Sequence, residues 1–436
     1  MDLLILVPKV TNRINYIFEL IFGNLLGLDF KITSNKDSFD SFDGAKLHYG
    51  DKPFGDELFQ KSTSILFEHF VIFQKLVVVD YNDIKTIFPV HHKNSIFPFD
   101  LFAASFYFVT RYEEYMPYVP DKYNRFQAKD SILYKTGLLK KPIVNIWAME
   151  LGEILQSRYP NLRFKKRSFS FVPTYDVDAA WAYRNKGFVR ITSAFIRDLL
   201  RLDFAEMDLR FKVLSGKKMD PFDTFDYQIE LQKELNLHPL YFILCGNYDV
   251  NDKNISIKNS EFQDLIKRLG DYANIGIHPS FSSYLDNKRL REEIRRLSNI
   301  LNREITMSRQ HFLRLNMPVS YQKLIELDIT DDYTMGYASL PGFRAGICDT
   351  FRFYDLEHDV PTSLNIHPFA LMDGTMRDYL DLSTTESYAL AVELIQAVKD
   401  VNGTFILLWH NETLSDEKRW KGWITLYRKI LDYALN

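Results

Sequence analysis

The chain has 436 residues, 46% hydrophobic and 25% charged, with a formal net charge of −3. That length suggests two or three domains, each able to bury its own core, and the near balance of charge leaves no field to draw the chain onto nucleic acid or anionic lipid. Two cysteines, Cys245 and Cys348, with no CxxC pair, argue against a disulfide scaffold and a structural zinc knuckle. Aromatic residues reach 15%, as in a heavy core, although sugar-binding clefts also use exposed rings.

In chain order, Met1–Pro8 carries an acid where a signal peptide has positive charge. Its apolar run is also too short for a secretory core or a membrane span. A first buried strand and a cytoplasmic location are therefore expected. A helical pattern follows over Ile14–Leu26, with Gly27 placed to end it. Ser64–Phe67 and Leu76–Val79 read as strands, and Leu101–Tyr112 and Val144–Leu155 as helices. Together these predict a smaller α/β domain over residues 1–155. The polar, proline-bearing stretch 156–167 reads as a linker.

From Ser168 the pattern becomes a regular alternation of strand and helix. Strands are expected at Ser168–Tyr175, Pro239–Leu244, Ile275–Ile277, around Arg309–Leu313, at Tyr333–Ala338 and at Thr404–Trp409. Helices are expected at Ser260–Leu269, Asn287–Ile305, Ser320–Leu327 and Glu386–Val401. Strands that each end in polar residues favour parallel pairing and a barrel-like sheet, with chemistry gathered at the strand ends. The segment Tyr183–Lys218 interrupts this alternation with a helical basic-apolar pattern.

The polar strand ends carry a restricted set of residue types. Thr174-Tyr175-Asp176-Val177-Asp178 places two carboxylates two residues apart. One such group can bind a divalent cation while its neighbour removes a proton from bound water; the alternative is a loop turn with helix-capping carboxylates. His278 ends the next-but-one strand in Gly276-Ile277-His278-Pro279-Ser280-Phe281-Ser282, and His410 ends the last in Leu407-Leu408-Trp409-His410-Asn411. Arg309 and His311 alternate, so an extended chain puts them on one face. Arg344, in Gly342-Phe343-Arg344-Ala345-Gly346, either clamps a substrate acid or caps its loop. Asp373 precedes Gly374, a pair equally natural as a turn.

In their order along residues 168–436, these motifs resemble those of the polysaccharide deacetylases, whose catalytic domain is a distorted (β/α) barrel. The resemblance implies a hydrolase that removes an acetyl group from an N-acetylated sugar with a divalent metal, zinc being the expected ion. It implies Asp176 as general base, Arg309 as the residue that orients it, and His410 as general acid tuned by Asp373. Asp178 and His278 become metal ligands and Leu408 lines the acyl pocket; apart from the resemblance, Trp409 and Arg344 are expected in the substrate-binding set. One departure stands out. Ser282 occupies the position of the family's second histidine, and a hydroxyl is a poor zinc ligand beside imidazole. His311 is the expected replacement and His367 the reserve. The same departure suggests an alternative, a metal-independent C–N hydrolase; a rival of a different class is a catalytically silent carbohydrate-binding protein.

Overall fold

The computed structural model describes residues 3–436; Met1 and Asp2 of the expected first strand lie outside them. The architecture is mixed α/β. Strands β1 (Leu3–Leu6), β2 (Phe30–Thr33), β3 (Ala45–Gly50) and β4 (Leu58–Lys61) form a parallel sheet in the order β2-β1-β3-β4. β1 is buried throughout, as its unbroken apolar run requires for a strand covered on both faces. The Thr11 side chain caps the following helix, Asn12–Phe18, which continues as a π-helix over Glu19–Leu25. Gly27 then adopts a left-handed φ of 62°, a conformation glycine reaches without steric cost.

Not every early expectation holds. Ser64–Phe67 is a short 3-10 turn rather than a strand, because the pairing segment is the less apolar β4 just before it. Leu76–Val79 shifts to β5 (Val78–Tyr81), which makes a two-stranded hairpin with β6 (Ile84–Ile87). The helix expected to end at Leu155 runs on from Ile143 to Arg158, into the stretch read as a linker.

The second sheet has nine strands. In chain order they are β7 (Ser170–Val177), β8 (Leu240–Ile243), β9 (Asn274–Ile277), β10 (Met307–Ser308) and β11 (Asp331–Asp332), followed by β12 (Phe351–Asp355), β13 (Val360–Ile366), β14 (Leu371–Met372) and β15 (Thr404–His410). They pair in the order β12-β13-β11-β10-β9-β8-β7-β15-β14, parallel except for β12 against β13. Beyond the ladders, backbone hydrogen bonds from Phe369 to Met335 and from Gly342 to Ala370 tie the segment after β11 to the one before β14. Tyr333–Ala338 is mostly irregular rather than a strand, and the strand around Arg309 stops at Ser308. Both segments leave the ladder early where polar side chains turn inward to bond the backbone: the Asp332 carboxylate accepts from the Thr334 amide, and the Thr334 hydroxyl from the Gln310 amide. No helix among the described residues is long and apolar enough to cross a membrane.

Charged and polar contacts join the first 160 residues to the rest. Arg13 pairs with Asp359 at 2.8 Å, and the Tyr16 hydroxyl donates to the Arg352 carbonyl. The most buried junction is Glu114, whose carboxylate accepts from Arg344 at 2.5 and 2.9 Å and from Arg111 at 2.8 Å. These two guanidinium groups hold its pKa below the usual carboxylate range although burial pushes the other way. Removing one partner of such a network strands the other charges in a low-dielectric interior. Glu114→Ala is expected to destabilise the protein by about 3–5 kcal/mol, read from urea denaturation. A loss within error of zero would mean that the arginines find new partners.

Candidate active site

The C-terminal ends of the parallel strands converge on one cleft, which holds Asp176, Asp178, His278, His311, Asp373 and His410 among its lining residues. Adjacent strands in register account for the first pairing: His410 on β15 lies directly opposite Asp176 on β7. Alternation along β7 points both Asp176 and Thr174 inward, with Tyr175 turned to the opposite side against Tyr241 and Tyr427.

One side of the cleft is a set of three possible ligands. Asp178, His278 and His311 each offer one donor atom, and these atoms lie within 4.8 Å of one another. His278 Nε2 is 3.2 Å from Asp178 Oδ1, and His311 Nε2 is 3.5 Å from Asp178 Oδ2. What fixes the two rings is behind them. His278 Nδ1 lies 2.6 Å from the Arg309 carbonyl oxygen. A carbonyl only accepts, so Nδ1 carries the hydrogen and Nε2 presents a lone pair. His311 Nδ1 makes the same kind of bond, at 3.0 Å, to the Asp252 carboxylate. Metal-binding histidines are commonly held in this way by an acceptor at the other ring nitrogen. Asp178 Oδ1 is buried and has no hydrogen-bond partner. A carboxylate facing two imidazole nitrogens, one of its oxygens without a hydrogen-bond partner, is the donor chemistry of a divalent cation site, and the residues fit that group.

The charges tell the same story without the ion. Burial disfavours a charged His311, but Asp178 and Asp252 outweigh it and push its pKa up to about 9. Burial likewise opposes charge on Asp178, yet His311, His278 and His410 hold its carboxyl well below the usual range. A positive charge is thus favoured at the centre of this cluster.

The other side of the cleft carries an oriented carboxylate and an oriented imidazole. Arg309 is fully buried; its Nη1 donates to Asp176 at 2.9 Å and to Thr174 at 2.7 Å, and its Nε donates to the Tyr333 carbonyl. Asp373, also fully buried, accepts from His410 Nδ1 and from the His410 amide, both at 2.7 Å. That carboxylate, with those of Asp178 and Asp176, raises the His410 pKa well above its ordinary value against the effect of burial. His410 Nε2 is left facing the cleft, 3.9 Å from Asp178.

Five positions singled out in the sequence lie elsewhere. Ser282 is no ligand: its amide and hydroxyl donate to Asp252, so it acts behind His311. Arg344 is withdrawn into the Glu114 network, because a guanidinium buried this deeply takes the nearest carboxylate. Trp409 faces away from the cleft, packed against Trp423 and Tyr427, since strand alternation places it opposite His410. Leu408 is fully buried in a small apolar cluster with Phe242 and Met372, of which Met372 reaches the cleft surface. His367 bonds Asp331 at 2.7 Å and stacks on Tyr333, apart from the ligand cluster.

The cleft also contains groups with no signal in the motifs. Asp252 sits in an irregular loop, and only the fold brings it to a histidine 59 positions later. Arg125 comes from the first 160 residues, bonding the Phe312 carbonyl and the Tyr379 hydroxyl at the rim. Phe312 and Leu313 hold consecutive left-handed φ angles of 60° and 54°. For non-glycine residues such conformations cost about 1–3 kcal/mol each and cluster at functional sites.

A family of unknown function (DUF7033) matches residues 3–160. No curated protein matches the chain. Among solved structures, the chain is similar to a protein assigned as a polysaccharide deacetylase in Mycobacterium smegmatis, at 13% identity over 61% of this chain and 85% of that one, with a TM-score of 0.39. An allantoinase is similar at 12% identity, over 61% and 83%, with a TM-score of 0.37. A polysaccharide deacetylase of Bacillus cereus is similar at 12%, over 61% and 86%, with a TM-score of 0.28. At such identities and scores, residue roles rest on the geometry of this chain alone.

His278→Ala and His311→Ala are each expected to abolish stoichiometric zinc binding, measured by elemental analysis after dialysis. Asp252→Asn, which keeps the shape but weakens the acceptor, is expected to lower zinc affinity about 10–100-fold. Ser282→Ala is expected to retain the metal. Equal loss in the serine and histidine variants would show a different coordination.

Proposed function

We propose that the protein is a metal-assisted hydrolase that removes the acetyl group from an N-acetylated sugar. In this reading residues 168–436 form the catalytic unit, built as a distorted (β/α) barrel, and residues 1–155 form an accessory domain that contributes Arg125 to the rim. The observation that carries the reading is the opposition, within one cleft, of a carboxylate held by arginine and an imidazole held by carboxylate, with a three-residue ligand set beside both.

Asp178, His278 and His311 would hold the divalent cation, zinc by the mixture of two imidazoles and one carboxylate. When bound, such an ion polarises a carbonyl and lowers the pKa of water. Asp176 serves as general base and takes the proton of the attacking water, as Arg309 holds one carboxylate oxygen and leaves the other facing the cleft. The water oxygen forms the new bond to the acetyl carbon, and the C–N bond breaks. His410, protonated and fixed through Nδ1 by Asp373, delivers its Nε2 proton to the departing nitrogen. A free amino sugar and acetate are the products.

The metal-independent alternative drew its support from Ser282, and His311 supplies the third donor that serine lacks. A silent binding protein has no use for Asp176–Arg309 and His410–Asp373 as separately oriented base and acid.

Acetate release from N-acetylated oligosaccharides by the zinc-loaded protein tests the reading. Asp176→Asn and His410→Ala are each expected to reduce the rate by about 10²–10⁴-fold while keeping the metal. Variants as active as the parent would overturn the assigned roles, and a zinc-loaded protein that releases no acetate would overturn the activity.

A further inference from the structure

The segment Tyr183–Lys218 builds a second cavity beside the cleft. Two helices, Phe188–Leu200 and Phe204–Leu214, form one wall, and the space between them and the strand-end loops is about 740 Å³. That is within the range that holds small-molecule ligands. Glu412 and Trp420 line both this cavity and the cleft. A chain of sugars bound at the ligand cluster and passing over them would enter it.

The charge of the cavity is lopsided. Its carboxylates are all paired: Glu206 with Lys418 and Arg210, Glu412 with Arg419, and Glu417 with Lys218. Among the described residues, Lys186, Arg190 and Lys253 line the same space with no carboxylate within ion-pair distance. Arg190 is held in place by the backbone carbonyls of Asn254 and Lys253 and lies over the Tyr248 ring at 4.1 Å. That leaves its charge uncompensated. Lys186 is drawn down to a pKa of about 8 by burial and by Arg190, with Arg210 adding to the effect and Asp220 and Glu412 opposing it. A half-buried ammonium without a counter-ion is costly unless a ligand supplies one.

We propose that this cavity binds an anionic part of the substrate, so that the glycan deacetylated here is an acidic one, carrying carboxylate or phosphate groups next to the N-acetylated sugar. The inference rests on the deacetylase reading for the identity of the neighbouring group, and on Lys186, Arg190 and Lys253 for the charge. The aromatic faces of Tyr248 and Phe222 in the same lining give sugar rings a surface to pack on.

Calorimetric titration of the full-length, zinc-loaded Asp176→Asn protein, which leaves the ligand uncleaved, tests it with three probes. A hyaluronan tetrasaccharide supplies carboxylates, uridine diphosphate N-acetylglucosamine supplies phosphates, and N-acetylchitotetraose is neutral. At least one acidic probe is expected to bind about tenfold more tightly than the neutral one, and to lose that advantage at high salt. Which acidic probe wins tells carboxylate from phosphate. Adding Lys186→Gln, Arg190→Gln and Lys253→Gln should erase the advantage while leaving binding of the neutral probe unchanged; Lys253→Gln alone, at an exposed position, should reduce it in part. Equal binding of all three probes, or an advantage that survives the triple substitution, overturns the inference. Failure of the deacetylase reading looks different: acidic ligands bind through these lysines, yet the unsubstituted protein releases no acetate from them.

Discussion

Arg309 is used at both ends. Its backbone carbonyl holds the Nδ1 hydrogen of His278, and its guanidinium holds Asp176. The His278 side and the Asp176 side of the cleft are therefore set by one residue, whose position is fixed in turn by a hydrogen bond to the Tyr333 carbonyl and by the face of Phe242, 4.5 Å away. A fully buried guanidinium is stable only where its charge is paired and its hydrogens are largely bonded. The partners of Nε and Nη1, which are Asp176, Thr174 and Tyr333, come from two strand ends that are far apart in sequence, while Nη2 is buried with no hydrogen-bond partner. The requirement to satisfy Arg309 thus constrains the relative placement of β7, β10 and β11.

Parallel pairing does the rest of the gathering. Strands that run the same way deliver all their C-terminal ends to one side, so polar residues that follow apolar runs meet there. Asp176 and His410 face each other because β7 and β15 pair in that register, and a shift of one residue would turn one of them into the helix layer. Trp409 illustrates the opposite phase: it is one position from His410 and lies wholly in the core.

The first 160 residues are bound into this arrangement rather than hung beside it. Glu114 neutralises Arg344, Arg13 neutralises Asp359, and Arg125 reaches the rim of the cleft. A single hydrophobic cluster includes Leu3 at one end of the chain and Ala434 at the other. Charged groups buried across this junction make each part a condition for the other, since either alone would expose unpaired interior charge.

Local pattern was enough to read most of the helices, the apolar strands β7, β8, β9 and β15, and the strand-end positions of Asp176, Asp178, His278 and His410. Those features follow from periodicity and from the resemblance of ordered motifs, which depend on near neighbours in the chain. The weakly apolar strands β2 and β4, the two-residue strands β10 and β11, and the β12–β13 hairpin were not read, because their stability comes from pairing partners and not from their own composition. The same division runs through the site. Alternation suggested that His311 shares a face with Arg309, but whether its ring reaches Asp178 depends on Asp252, a residue with no motif around it. Arg344 looked available in sequence and is consumed by Glu114, 230 positions earlier. Which residues can be catalytic is written in the short range; which are left free to be so is decided by long-range pairing of buried charge, and only the tertiary structure carries that.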